Sequence, residues 1–414
     1  MSAGTVAHPD HHLDSSYSWL RVAVSLLIGA IGSVGMWSVV VVLPAVQADF
    51  GVTRADATLP FTLAMLGFGV GNVTMGNLAD RFGIVVPVLL GALSLCVGYV
   101  IAGISPGLWI FALAHILIGL GAAASFGPLM ADISHWFIRR RGIAVAVAAA
   151  GNYLAGTIWP TLVQHYTATA GWRPTHIGVG LFCMLAIPPL TFLLARRAPA
   201  HDAGAANVAS AGRLAALGLS PNALQTLLSI AGIACCVAMS MPQVHIVAYC
   251  GDLGYGVARG AEMLSLMLGF GIVSRVASGF IADRIGGLGT LLIGSILQAI
   301  ALGLYLVFDG LTSLYVISAM FGLFQGGIVP SYAIIVREFF PAREAGTRVG
   351  VIIFATVIGM ALGGWMSGLI FDLTGSYAAA FMNGILWNLL NVTIAVWLLI
   401  KARGAGYRIA PHPA

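Results

Sequence analysis

Arg275 is the residue whose type and placement offer chemistry. It stands inside Gly271-Ile-Val-Ser-Arg275-Val-Ala-Ser-Gly279-Phe-Ile-Ala-Asp283-Arg284-Ile-Gly286, an apolar run that turns polar eight residues later. If the run is a helix, a rise of about 1.5 Å per residue puts Arg275 roughly 12 Å in from that polar end. A cation at such depth costs about 2.5 kcal/mol or more unless it meets water, a partner or a ligand. A guanidinium stays charged at any working pH and holds a carboxylate through two parallel hydrogen bonds. The chemistry on offer is anion binding. The opposing reading is an arginine that reaches the interface or pairs with a helix end. Its side chain spans only about half of the distance required.

The chain around it is made for lipid. Of 414 residues, 59% are apolar and 8% charged, with a mean hydropathy of +0.97. Soluble domains carry about 25% charged residues, so most of this chain is expected in a bilayer. The five cysteines (Cys96, Cys183, Cys235, Cys236, Cys250) have no paired spacing and read as packing residues, not as a disulfide frame. His8, His11 and His12 could ligate a metal, but they lack a second ligand cluster and read as part of a solvated tail. No metal site and no cofactor is expected. The start, to about residue 18, has no basic region followed by a short apolar core, so it reads as a tail and not a signal peptide. No His-x-x-x-His pair, G-x-S-x-G elbow or P-loop is present, so an enzyme is not expected.

Apolar runs long enough to span recur near 19–45, 55–79, 84–104, 107–137, 142–165 and 175–195. After a polar stretch they recur near 221–249, 258–282, 288–308, 311–337, 346–371 and 377–400. The fold class implied is an all-α membrane protein of twelve transmembrane helices in two six-helix bundles. The expected layout is a tail over 1–18, one bundle over 19–197, a central loop over 198–220, a second bundle over 221–401 and a tail over 402–414. Ser220-Pro221 restarts the helices, with Ser as N-cap and Pro at the first helical position.

The halves repeat. A shift of 203 residues places Gly76, Ala79, Asp80, Arg81 and Gly83 on Gly279, Ala282, Asp283, Arg284 and Gly286. The same shift, without a gap, places Gly119 on Gly322, Phe137 on Phe340 and Gly156 on Gly359. A charged motif and three distant positions in one register indicate duplication. In parallel repeats of this kind substrate binds at mid-membrane between the halves, which rock around it. Of the 19 basic residues, fifteen fall on the side of the termini and central loop, and only Arg54, Arg173 and Arg259 on the other. That places the termini in the cytoplasm of a cell whose inner membrane holds the chain. The basic excess is therefore a topology signal, and no nucleic-acid partner is implied.

These motifs resemble the major facilitator superfamily. Gly76-Asn-Leu-Ala-Asp80-Arg81-Phe-Gly83 is similar to its first signature, between the second and third spans, and Gly279 to Gly286 to its echo. The resemblance implies a gating role for Asp80, Arg81, Asp283 and Arg284, as a latch on the cytoplasmic face. Ile84, Val85 and Val86 stand where basic residues often follow, which weakens the latch. Trp136-Phe-Ile-Arg139-Arg140-Arg141-Gly-Ile-Ala144-Val-Ala-Val-Ala148-Ala-Ala150-Gly151 is similar to the monocarboxylate-transporter signature, with Trp136 in place of the usual Tyr and Ala146 in place of a Gly. The bland reading is a positive turn followed by a small-residue packing face.

What the resemblance implies for the site follows residue by residue. Arg275 sits where the family's eighth span carries the Arg that receives a substrate carboxylate. In the first half its repeat position is Asn72, and Lys401 is the chain's only lysine. One buried positive charge suits a monocarboxylate, such as lactate or pyruvate, better than a dicarboxylate. Asn152 could donate to a 2-hydroxy or 2-keto oxygen, or be a packing amide. Tyr332, two residues after Pro330, resembles an aromatic cavity position of the bacterial homologues, or packs. His245, three residues after Pro242, could face the cavity or be a satisfied structural histidine. The family's proton-carrying acid, one turn before the Arg, is here Gly271. Candidate replacements are His115, His245 and Asp132; alternatively Asp132 pairs with the basic cluster, and no dedicated carrier exists. The expectation is alternating-access symport with a proton, as a monomer, with anion exchange of the oxalate/formate type or another antiport as the alternative.

Overall fold

The computed structural model describes residues 13–137, 140–196 and 217–404. The tail histidines His8, His11 and His12, and Arg139, Arg197, Arg213 and Arg408, lie outside them, as do most of the expected tails and central loop.

Among the described residues, twelve segments cross the molecule. In chain order they are α1 (Ser16–Phe50), α2 (Arg54–Phe82), α3 (Val85–Gly103), α4 (Leu108–Ser134), α5 (Arg141–Ala170) and α6 (Trp172–Phe192), then α7 (Pro221–Asp252), α8 and α9, α10 (Leu311–Phe339), α11 (Ala342–Thr374) and α12 (Tyr377–Gly404). The helical stretch Val257–Val307 holds both α8 and α9. At 51 residues it would run about 76 Å, more than twice a hydrocarbon core of about 30 Å. It breaks at Gly286, where φ is 76° and ψ 171°, into 257–285 and 287–307. Gly83, the repeat counterpart, ends α2 with φ 83° and ψ 169°. The two signature loops therefore turn through the same left-handed corner, which glycine adopts without steric cost. Ser220 caps α7 as expected, its hydroxyl accepting from the Ala223 N–H at 3.2 Å.

The duplication is carried into the packing. A Cβ on Gly119 of α4 would lie 1.9 Å from the Ala64 carbonyl oxygen of α2. A Cβ on Gly322 of α10 would lie 1.9 Å from the Met267 carbonyl oxygen of α8. Both partners are related by the same 203-residue shift. Lipid tails are as apolar as the side chains, so helices associate by close van der Waals approach, and small residues at the seams permit it. The Ala-rich face of α5 serves this purpose: a Cβ on Gly151 would come within 2.8 Å of the Leu26 carbonyl oxygen on α1. Outward-facing side chains such as Trp109, Leu185 and Val307 are large, apolar and exposed, as a lipid-facing surface requires.

Candidate functional site

The two halves meet mainly along two helix pairs, α2 with α11 and α5 with α8, with a smaller contact of α1 on α7. In the α5–α8 seam Leu268 fills the space beside Gly156, and Thr157 touches Gly269. About two turns further toward the end that carries the chain termini (the terminal face), α8 presents Arg275. Its Nη1 donates to the Ala149 carbonyl oxygen at 3.2 Å, and its guanidinium carbon stands 4.3 Å from the centre of the Tyr153 ring. Ala149 and Tyr153 are one turn apart on α5, so carbonyl and ring share a face. Nε is buried without a hydrogen-bond partner. Nη2 has none among the described residues, and no carboxylate there pairs with Arg275.

A guanidinium has five N–H donors. Here one is used. The cation–π contact contributes about 0.5–2 kcal/mol, short of the roughly 2.5–3.5 kcal/mol that a cation at mid-span costs. Of the four left, Nε–H and the adjacent Nη2–H form the side-on fork that can hold a carboxylate through two bonds. The unused donors are the chemistry by which this residue would take an anion.

The repeat counterpart of Arg275 does a different job. Asn72 donates from Nδ2 to the Phe68 carbonyl oxygen at 2.8 Å, and its Oδ1 accepts from the Gly127 N–H at 3.2 Å. It caps the second part of α4, which restarts at Gly127 after a break at Ser125 and Phe126. The charge is thus confined to one side of the seam.

At the opposite end (the far face), the halves are tied by ions. Arg54, which opens α2, pairs with Asp252 at the end of α7 at 3.0 Å and donates to the Tyr377 hydroxyl of α12. Tyr377 in turn donates to Asp252 at 2.6 Å. Asp372 of α11 accepts from the Arg54 and Ala55 N–H groups at 2.9 and 2.6 Å, capping α2 with a carboxylate from the other half. Below the clamp, the Thr62 hydroxyl donates to the Ala361 carbonyl oxygen.

A sequence model of the Major Facilitator Superfamily matches residues 25–312. The chain belongs to the Major Facilitator Superfamily. Among its relatives, this facilitator is 25% identical over 383 residues to monocarboxylate transporter 13 of Bos taurus, covering 89% of this chain and 86% of that protein. It is 24% identical to an uncharacterized MFS-type transporter, YcxA, of Bacillus subtilis, covering 81% and 83%. Among solved structures it shares its fold with a bacterial homolog of the human lysosomal transporter Spinster, in an inward-facing and occupied conformation. There the TM-score is 0.70 at 14% identity, over 94% of this chain and 97% of the other.

The remaining sequence candidates of this facilitator are scattered. Asn152 is engaged with α1, its Nδ2 3.1 Å from Met36 Sδ. Tyr332 is fully buried inside the second half, donating to Asn391 Oδ1 on α12 at 3.0 Å. Asn391 continues to Ser295 Oγ on α9, so the tyrosine ends a polar chain that locks α9, α10 and α12. Asp132 pairs with Arg21 of α1 at 2.7 Å, and Arg21 is wholly buried under Trp136. Arg21 also donates to the Leu194 carbonyl oxygen, so the pair fastens α1, α4 and the end of α6.

His115 lies inside the first half, its Nδ1 2.7 Å from the Phe111 carbonyl oxygen and its ring among Phe111 and His176. His245 has Nε2 2.8 Å from the Gly364 carbonyl oxygen on α11. Gly364 packs against Phe61 of α2, so of the two histidines His245 is the one beside the seam. Asp80, Arg81, Asp283 and Arg284 are all exposed at the terminal face, without an ion pair among the described residues. Two parts of the arrangement were not singled out from sequence: Tyr153 and the Arg54 clamp. Tyr153 directly follows Asn152 in the signature helix, and Arg54 is one of only three basic residues on its side.

Proposed function

We propose that this facilitator is a secondary transporter of a small monocarboxylate of the lactate or pyruvate kind, which binds side-on to Arg275. The observation that carries the reading is the free Nε and Nη2 edge of a cation that lies between the halves with no carboxylate partner among the described residues. The names of relatives that are monocarboxylate transporters support the same class. With Arg275 the one seam cation that lacks a carboxylate partner among the described residues (Arg54 is paired with Asp252), a dicarboxylate would bring a second charge that nothing there neutralises.

In this reading the terminal face is cytoplasmic, supported by the fifteen-to-three distribution of basic residues. The clamp at Arg54 closes the outer face, and the cytoplasmic half of the seam is open. Asp80-Arg81 and Asp283-Arg284 engage when that half closes in turn. The coupling ion is a proton, and His245 is the carrier best placed for it, since its hydrogen bond lies at the seam. Asp132 is committed to Arg21 and His115 to the interior of the first half. The protein works as a monomer in the inner membrane.

Gly271 favours a second reading. With no acid one turn from Arg275, the cation is neutralised by arriving substrate alone, which is the behaviour of an organic-anion exchanger. Uptake of labelled L-lactate into proteoliposomes separates these. Proton symport predicts acceleration by an inward proton gradient and loss of saturable uptake in Arg275→Ala. Uptake that ignores the gradient but needs an internal anion establishes exchange, and full activity of Arg275→Ala overturns the site.

A further inference from the structure

Gly271 and Tyr153 occupy one volume. A Cβ added to Gly271 would come 2.4 Å from Tyr153 Cε1 and 2.6 Å from Cδ1, so even a methyl group displaces the ring. An acid one turn before Arg275 and this tyrosine are therefore alternatives, and the chain carries the tyrosine. The ring comes from α5 and the cation from α8, so the contact spans the two halves. It covers a face of the guanidinium and leaves the Nε–Nη2 edge free.

We propose that Tyr153 is a positioning residue that stands in for the missing counter-charge of Arg275 when the transporter is empty. This rests on the carboxylate reading above. An empty carrier must close over Arg275 to change sides, and a bare guanidinium in that closed, dehydrated state is costly. The π-face and the Ala149 carbonyl oxygen offset part of the cost. A bound carboxylate neutralises the charge through the edge and weakens the pull of the ring, which acts on net positive charge. Tyr153 therefore favours the empty form selectively, and only a differential effect of this kind changes the rate of one step over another. Its consequence is that Tyr153 speeds the return of the empty carrier, hence net transport, and matters little when substrate rides in both directions.

The test compares two modes in proteoliposomes: net uptake of labelled L-lactate into lactate-free vesicles, and exchange into vesicles preloaded with unlabelled lactate. Tyr153→Leu removes the π-face, and Tyr153→Phe keeps it. Tyr153→Leu is expected to slow net uptake by about 3- to 30-fold, the rate equivalent of one cation–π contact, while exchange falls less than about threefold. Tyr153→Phe stays near wild type in both modes, which excludes a role resting on the hydroxyl. Gly271→Ala displaces the ring from the other side and should reproduce the Tyr153→Leu pattern. Equal slowing of both modes by Tyr153→Leu, or no slowing of either, overturns the inference. A wild type that moves lactate in neither mode overturns instead the carboxylate reading on which it rests.

Should Tyr153→Leu lower both modes through poor folding, the melting temperatures of wild type, Tyr153→Leu, Arg275→Gln and the Tyr153→Leu/Arg275→Gln double variant form a cycle. The loss caused by Tyr153→Leu must then shrink in the Arg275→Gln background. An unchanged effect there removes the ring–cation pair, and the proposal with it.

Discussion

The two ends of the seam between the halves are built differently. At the far face Arg54 is buried and serves Asp252, Tyr377 and Phe371 of the other half at once, while Asp372 reaches back to cap α2. At the terminal face the four charges of the repeated motif are exposed, and among the described residues no ion pair joins the halves. Among the described residues, the last hydrogen bond across the seam in that direction is the one from Arg275 to Ala149. Beyond it, a Cβ added to Gly76, Gly279, Gly346 or Gly350 would meet nothing within 4 Å. The repeat supplies matching motif loops, but the clamp has no counterpart in the repeat, because position 257, equivalent to Arg54, is a valine. The two halves share their packing by repeat, and the ion pair that joins them at the far face is outside the repeat.

That contrast can be broken deliberately. The largest effect is expected from Gly119→Ala or Gly322→Ala, which forces a methyl group against a backbone carbonyl inside each half. Overpacking of this kind costs about 1–3 kcal/mol, and here backbone cannot step aside as a side chain would. Loss of the monodisperse peak on size-exclusion chromatography is expected for both, since the two sites are equivalent by repeat. Loss in only one would mean the halves do not share their packing.

Next comes Arg54→Ala. It leaves Asp252 and Tyr377 without their cation and opens the far face. A cysteine replacing Thr62, at the seam, should then react more than about tenfold faster with an impermeant thiol reagent applied from that side, the equivalent of about 1.4 kcal/mol in the opening equilibrium. Unchanged reactivity would show that the clamp does not hold this face. Asp372→Asn removes one charge but keeps an acceptor at the start of α2. A cap-and-dipole contribution of about 0.5–1 kcal/mol predicts a two- to fivefold rise in the same assay. The smallest effect is expected from Asp283→Asn, whose carboxylate is exposed here. The melting temperature should not move, while the fraction of molecules open at the far face falls.

The sequence made much of the frame legible and less of the interior. Arg275 could be placed because a charge in an apolar run is conspicuous at any orientation. Gly83 and Gly286 could be paired because the motif around them is charged and repeated. Asn152, Tyr332 and His115 were harder, since each was known only by its span and not by the face it occupies. A soluble helix tells its inner face by apolar periodicity. A spanning helix faces lipid on one side and protein on the other, both apolar, so the pattern that would orient it is erased. Tyr332 thus reads equally well as a cavity aromatic and as the anchor of Asn391, and the structure shows the latter contact. The Arg54 clamp joins residues 198 and 323 positions apart, a separation that no local pattern reports. Asp132 illustrates the same limit: its partner is Arg21 on α1, 111 residues away.

The most direct test of the account is equilibrium binding of labelled L-lactate to the purified protein, comparing wild type with Arg275→Lys. Lysine keeps the positive charge but not the planar fork, so the charge alone is held constant. If the carboxylate sits side-on across Nε and Nη2, the lost bidentate bond weakens binding by about 10- to 100-fold, equivalent to about 1.5–3 kcal/mol for a hydrogen bond to a charged group. Equal affinity in the two proteins would contradict the assignment of that edge as the substrate site.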